Sequence, residues 1–128
     1  MKDHLMRYIL DTYGVEPDHP FRSSPGTAVF RNARNQKWFA VLLEQLSKGC
    51  LGLQDGGAAD VLNLKCDPIM TFSLIDHQRI FQAYHMNKEH WISVLLDSSI
   101  AMEELCFLVD LSYRLVDQRT KTGKGKMK

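Results

Sequence analysis

The chain has 128 residues, 45% of them apolar and 24% charged, with a formal net charge of +1. That length fits one domain with a core of its own, and the composition is that of an ordinary globular protein. The longest apolar runs, residues 39–43 and 94–96, are too short to cross a bilayer, and no apolar h-region follows Met1-Lys2-Asp3-His4. Cys50, Cys66 and Cys106 are odd in number and lack C-x-x-C spacing, which argues against a disulfide framework or a zinc site. The expected setting is a reducing cytoplasm, with no membrane partner.

In chain order, Leu5, Tyr8, Ile9 and Thr12 recur at helical spacing over residues 3–12, and Gly14 is placed to end that helix. Pro17, Pro20, Pro25 and Ser23-Ser24 mark an extended loop. Residues 27–31 and 37–44 read as strands joined through Asn32-Ala33-Arg34-Asn35-Gln36. Gly49, Gly52, Gly56 and Gly57 make residues 47–60 a flexible excursion. Residues 61–66 read as a third strand, and Pro68 suits the first turn of a short helix reaching about Ile75. A short extended piece lies within residues 78–84, and residues 91–96 read as a strand entered from a turn at Asn87-Lys88-Glu89. Ser98 and Ser99 are candidate caps for a last helix from Ala101 to about Arg119, with Glu103 and Glu104 in its first turn.

Strands joined mostly by tight turns, with amphipathic helices at both ends, predict an α+β fold. It has two layers, an antiparallel sheet with the N- and C-terminal helices on one face. Strict alternation would send Phe39, Val41 and Leu43 one way and Trp38, Ala40, Leu42 and Glu44 the other. It likewise separates Leu62, Leu64 and Cys66 from Asn63, Lys65 and Asp67, and Ile92, Val94 and Leu96 from Trp91, Ser93 and Leu95. If the all-apolar sets meet the helices, an uncovered face carries Trp38, Asn63, Lys65, Asp67, Trp91 and Ser93. Aromatics beside hydrogen-bonding groups there form a candidate binding surface. A one-residue slip would exchange the faces.

The charge is unevenly placed. Residues 1–118 carry 11 basic and 15 acidic side chains, a net of −4, whereas residues 119–128 carry five cations and no acid. An acidic body is a poor match for phosphates. The domain is read as residues 1–119, and the Lys/Gly-rich residues 120–128 as a flexible solubilising tail.

Asn63-Leu64-Lys65-Cys66-Asp67-Pro68 and Tyr84-His85-Met86-Asn87-Lys88-Glu89-His90-Trp91 resemble the MmcQ/YjbR family of small bacterial proteins. Gly14-Val15, Pro20-Phe21, Val29-Phe30, Trp38-Phe39-Ala40 and Ser112-Tyr113-Arg114-Leu115-Val116 extend the resemblance over roughly residues 3–119. The segment 44–57 is longer and richer in glycine than the family pattern. The resemblance implies a fold akin to type III secretion chaperones and frataxin-like proteins. It also implies a double-wing architecture associated with DNA binding. No catalytic residue and no cofactor is carried over.

Cys66 next to Lys65 raises a nucleophile, but alternation puts its thiol with Leu62 and Leu64, where it is an inert small hydrophobe. His85 and His90 are five residues apart and with Asp67 have no recognised metal-ligand spacing. Asp67-Pro68 reads as a helix cap, and Asn87 as a turn residue. For duplex DNA the candidate contacts are Arg31, Arg34 and Lys37 on the hairpin, with Lys65, Lys88 and the basic tail. For a protein or peptide partner the candidate surface is Trp38, Asp67, His85, Asn87, His90 and Trp91. The leading expectation is a non-enzymatic DNA-binding protein using the basic hairpin and tail, with a protein- or peptide-binding adaptor using the exposed sheet face as the alternative.

Overall fold

The computed structural model describes residues 1–97 and 99–118. The tail from residue 120 and the candidate cap Ser98 therefore lie outside the described residues. Helix α1 (Lys2–Tyr13) buries Leu5 and Ile9 and stops at Gly14. Gly14 adopts φ 67° and its N–H donates to the Leu10 carbonyl at 2.8 Å, the left-handed stop that glycine favours. Strands β1 (Thr27–Arg31) and β2 (Trp38–Ser47) form the hairpin, and a 3₁₀ turn (Lys48–Leu51) leads towards β3 (Ala58–Lys65). Helix α2 (Pro68–Leu74), β4 (Ile80–Gln82), β5 (Trp91–Leu96) and α3 (Met102–Asp117) follow. Within the segment 47–60, β2 ends at Ser47, the 3₁₀ turn spans Lys48–Leu51 and β3 begins at Ala58, so that residues 52–57 alone lie outside helix and strand.

All pairings are antiparallel and the five strands lie in the order β1-β2-β3-β5-β4. The main core lies between one sheet face and the helices, where Leu62, Leu64, Cys66, Ile92, Val94 and Leu96 meet Leu5, Ile9, Leu105, Leu108 and Val109. The α+β, two-layer expectation holds.

Two details differ from simple alternation. In β2, Phe30 pairs with Ala40 but Arg31 pairs with Trp38, so Phe39 sits in a β-bulge. The extra residue lets Phe39, Ala40 and Leu42 all join the helix-side core, while Trp38, Val41 and Leu43 turn to the other face. Val41 and Leu43 therefore lie on the face opposite to the one expected. The bulge is fixed by α3: the buried Ser112 hydroxyl donates to the Phe39 carbonyl and accepts from the Lys65 N–H at 2.9 Å. The second correction is at the start of α3, where Ala101 is the N-cap and makes no side-chain cap bond; Ser99 hydrogen-bonds Asp97 instead.

The second sheet face is not open. Loops cover it with two small apolar clusters, one around Val29, Val41, Ala83 and Trp91, the other around Val61, Phe81 and Leu95. Trp91, expected on an accessible surface, is only 7% exposed. Trp38 is half-buried at the margin of the first cluster.

Candidate functional site

The loop-covered face contains a cavity of about 700 Å³ bounded by Phe21, Trp38, Val41, Leu43, Tyr84 and Met86, with Ser24, Glu44, Gln45 and Asn63 among its polar members. Phe21 stands edge-on to Trp38, ring centroids 6.0 Å apart, so the two aromatics make one corner of the wall. The other wall comes from the β4–β5 connection. Asn63, buried in β3, donates to the Tyr84 carbonyl at 3.0 Å and accepts from the Ser93 hydroxyl, while Ser93 Oγ accepts from the Tyr84 N–H at 2.9 Å. Both backbone groups of Tyr84 are thereby held from the sheet, as a covered segment requires. Asn63 is a positioning residue for this wall.

His85 follows with φ 62°, a left-handed conformation uncommon for a non-glycine residue, and its ring lies 3.9 Å from that of Tyr84. Beyond it, the Asn87 side chain accepts from the Glu89 and His90 N–H groups at 2.8 and 3.2 Å, closing the turn. Lys88 Nζ donates to the Ala83 carbonyl at 2.9 Å, and the Cys66 N–H donates to the His90 carbonyl at 2.7 Å. The Tyr84 phenol is held above its ordinary pKa, chiefly by its hydrogen bond with the exposed Cys50 of the 3₁₀ turn.

The floor of the cavity ends in a second bulge. Leu43 pairs with Val61 and Leu46 with Ala59, leaving Glu44 and Gln45 opposite Asp60 alone. Gln45 has φ 54°, and its N–H and side-chain amide both donate to Asp60 Oδ1, at 3.0 and 3.3 Å. Strand β1 begins at Thr27 opposite Leu43, and the preceding loop curls on itself, the Ser24 N–H donating to the Phe21 carbonyl and the Thr27 N–H to the Ser24 carbonyl. Residues 45–47 therefore have β3 on one side and, among the described residues, no strand on the other.

The chain matches the model of the YjbR family over residues 10–115. The chain belongs to the YjbR family. It is 34% identical to the uncharacterized protein YyaQ of Bacillus subtilis over 114 residues, covering 89% of this chain and 96% of YyaQ. A Pseudomonas syringae protein solved by crystallography has a TM-score of 0.85 at 36% identity, with 90% of this chain and 97% of that one covered. A solution NMR structure of a Pseudomonas syringae protein has a TM-score of 0.83 at 35% identity, covering 94% and 95%. A Deinococcus radiodurans protein of domain family DUF419 has a TM-score of 0.69 at 29% identity, covering 93% and 80%.

In this YjbR-family chain the two central motifs do meet, but mainly to build the scaffold. Asp67 caps α2, its Oδ1 accepting from the Ile69 N–H at 2.9 Å. The buried Thr71 hydroxyl lies 3.1 Å from the Asp67 carbonyl and 3.2 Å from that of Glu89, tying α2 to the β4–β5 turn. Lys65 Nζ sits 5.7 Å from the centre of the Trp91 ring. Burial pushes the Cys66 thiol up, in keeping with an inert hydrophobe. Trp38 and His85 border the same cavity; Lys65 and Asp67 border a different one between α2 and α3. On the hairpin, Arg31 pairs with Asp18 at 3.1 Å and lies 5.5 Å from the Trp38 ring centre, and Arg34 pairs with Asp117 at 2.9 Å. Lys37 is exposed. Among the described residues no three His, Cys, Asp or Glu side chains are grouped to hold a metal ion. Sequence reasoning missed Phe21, Gln45 and Met86 as cavity residues; Pro20-Phe21 and Met86 stood inside the motifs without a reason to be singled out.

Proposed function

We propose that this YjbR-family protein is a non-catalytic, cytoplasmic peptide-binding module. An extended segment of a partner protein lies along residues 45–47 of β2 and places an apolar side chain in the corner formed by Phe21, Trp38 and Met86. The observation that carries this reading is the unpaired side of β2 beside an aromatic-walled cavity of about 700 Å³. Exposed strand edges recruit extended peptides through main-chain hydrogen bonds, while pockets for alternate side chains supply selectivity. Three cysteines without C-x-x-C spacing accord with a reducing compartment.

The test is selection from a random peptide library displayed on phage, followed by fluorescence polarisation of the selected peptide with purified protein. Trp38→Ala is expected to weaken binding by about thirtyfold, the scale of an aromatic hot spot, and Arg34→Glu to leave it unchanged. Failure to enrich any peptide, or equal loss with both variants, would refute the reading.

Duplex DNA binding is a second reading, favoured by the five cations of residues 119–128. Arg31, Arg34, Lys65 and Lys88 are less suited to it than their exposure in a sequence implies, because each is engaged within the protein.

A further inference from the structure

We propose that the cleft between α2 and α3 is a second binding site, for a single acyl chain bearing an anionic head group, with Arg114 as the anchor for that head group. The cleft has a volume of about 390 Å³ and is bounded mainly by apolar side chains, including Ile69, Met70, Leu74, Leu108, Leu111 and Leu115. That size lies toward the lower end of small-ligand pockets, roughly 300–1,000 Å³, and suits one chain rather than a folded segment. Helix α2 turns only part of its apolar surface to the core. Thr71 is buried and Met70 and Leu74 pack against the core, whereas Ile69, on the cleft, is 85% exposed and Phe72 is 88% exposed. A chain in the cleft would remove Ile69 from water, which favours occupancy by the hydrophobic effect.

The charge at the cleft selects the head group. Arg114 borders it, is exposed, and has no hydrogen bond or ion pair to another described residue. A guanidinium in that state presents its planar fork to a carboxylate. Lys65 is the other basic residue of the lining. Asp67, its acidic member, commits Oδ1 to the first turn of α2. Gln118 also borders the cleft. The site is independent of the peptide cavity, since it lies on the helix side of the sheet.

Calorimetric titration of the full chain with decanoate, kept below its micelle-forming concentration, tests the proposal against the neutral alcohol decanol. Saturable one-to-one binding of decanoate is expected. Arg114→Ala should weaken decanoate about tenfold, the scale of a charge-assisted hydrogen bond, and leave decanol unchanged. Ile69→Asp, at a position too exposed to threaten folding, should weaken both, and Trp38→Ala neither. No saturable binding, or binding indifferent to both Arg114→Ala and Ile69→Asp, would overturn the site. So would association with phosphatidylglycerol vesicles without binding of monomeric decanoate, which would make this face a membrane-docking surface instead.

Discussion

At the scale of single residues, Asp76 shows how a local carboxylate closes a connection in this fold. Burial alone would raise its pKa. The backbone N–H groups of Ile80, Arg79 and Gln78, with the Arg79 guanidinium, outweigh that and hold the carboxyl well below the usual carboxylate range. Oδ1 accepts from the three N–H groups at 2.8 to 2.9 Å, and Arg79 reaches on to Glu104 of α3 at 2.6 Å. A depressed folded-state pKa contributes stability that is present above the unfolded value and is lost as pH falls towards the folded one. Urea unfolding at several pH values should therefore show wild type losing stability below about pH 4, the range where unfolded aspartates protonate. Asp76→Asn should be less stable than wild type at neutral pH and show a flatter acid limb. An unchanged acid limb would remove Asp76 from the account. Such roles were legible where they are local: Asp67-Pro68 announces a cap because the accepting oxygen and the donating N–H are two residues apart. Asn63 announced nothing of the kind, because its partner, Tyr84, is 21 residues away and is bound through main-chain carbonyl oxygen.

At the scale of elements, the strands and helices follow from periodicity, and the bulges do not. Residues 27–31 and 91–96 are read at their observed bounds, since turn residues flank short β-branched and aromatic runs. The bulge at Phe39 falls inside Trp38-Phe39-Ala40-Val41-Leu42-Leu43, a run with no polar residue to betray which side faces water. Its signal lay instead in Ser112, a lone hydroxyl in the apolar stripe of α3. A buried hydroxyl in that stripe needs partners, and it finds the Phe39 carbonyl and the Lys65 N–H. Ser112→Ala leaves both main-chain groups unsatisfied where α3 meets the sheet, at a cost of about 1–3 kcal/mol. Thermal and urea denaturation should show that loss, and Ser112→Thr should retain more stability than Ser112→Ala. A neutral Ser112→Ala would mean that α3 is positioned by apolar packing alone.

At the scale of the whole molecule, electrostatics decide how the two readings of function separate. The described body carries most of its hairpin and motif cations in internal contacts, and residues 1–118 have a net charge of −4. Phosphate contacts need cations free to displace counterions, one for each phosphate neutralised. Affinity for duplex DNA should then reside mainly in residues 119–128, whose charge is +5. Five such contacts correspond to a slope of about −4.5 in log K against log salt. Fluorescence anisotropy with a labelled duplex should give a slope steeper than that only by what the exposed cations of the body, such as Lys37 and Arg114, contribute. A chain ending at Gln118 should lose the interaction while keeping its peptide affinity, because the Trp38 cavity is built wholly from residues 21–86. Arg31→Ala and Arg34→Ala should lower stability slightly, as partly exposed ion pairs do, without changing the slope. A steep salt dependence that survives the truncation and disappears with Arg31→Ala and Arg34→Ala would show that the hairpin releases its arginines from Asp18 and Asp117 to meet DNA, and the internal pairing seen here would then be the resting state of a nucleic-acid interface.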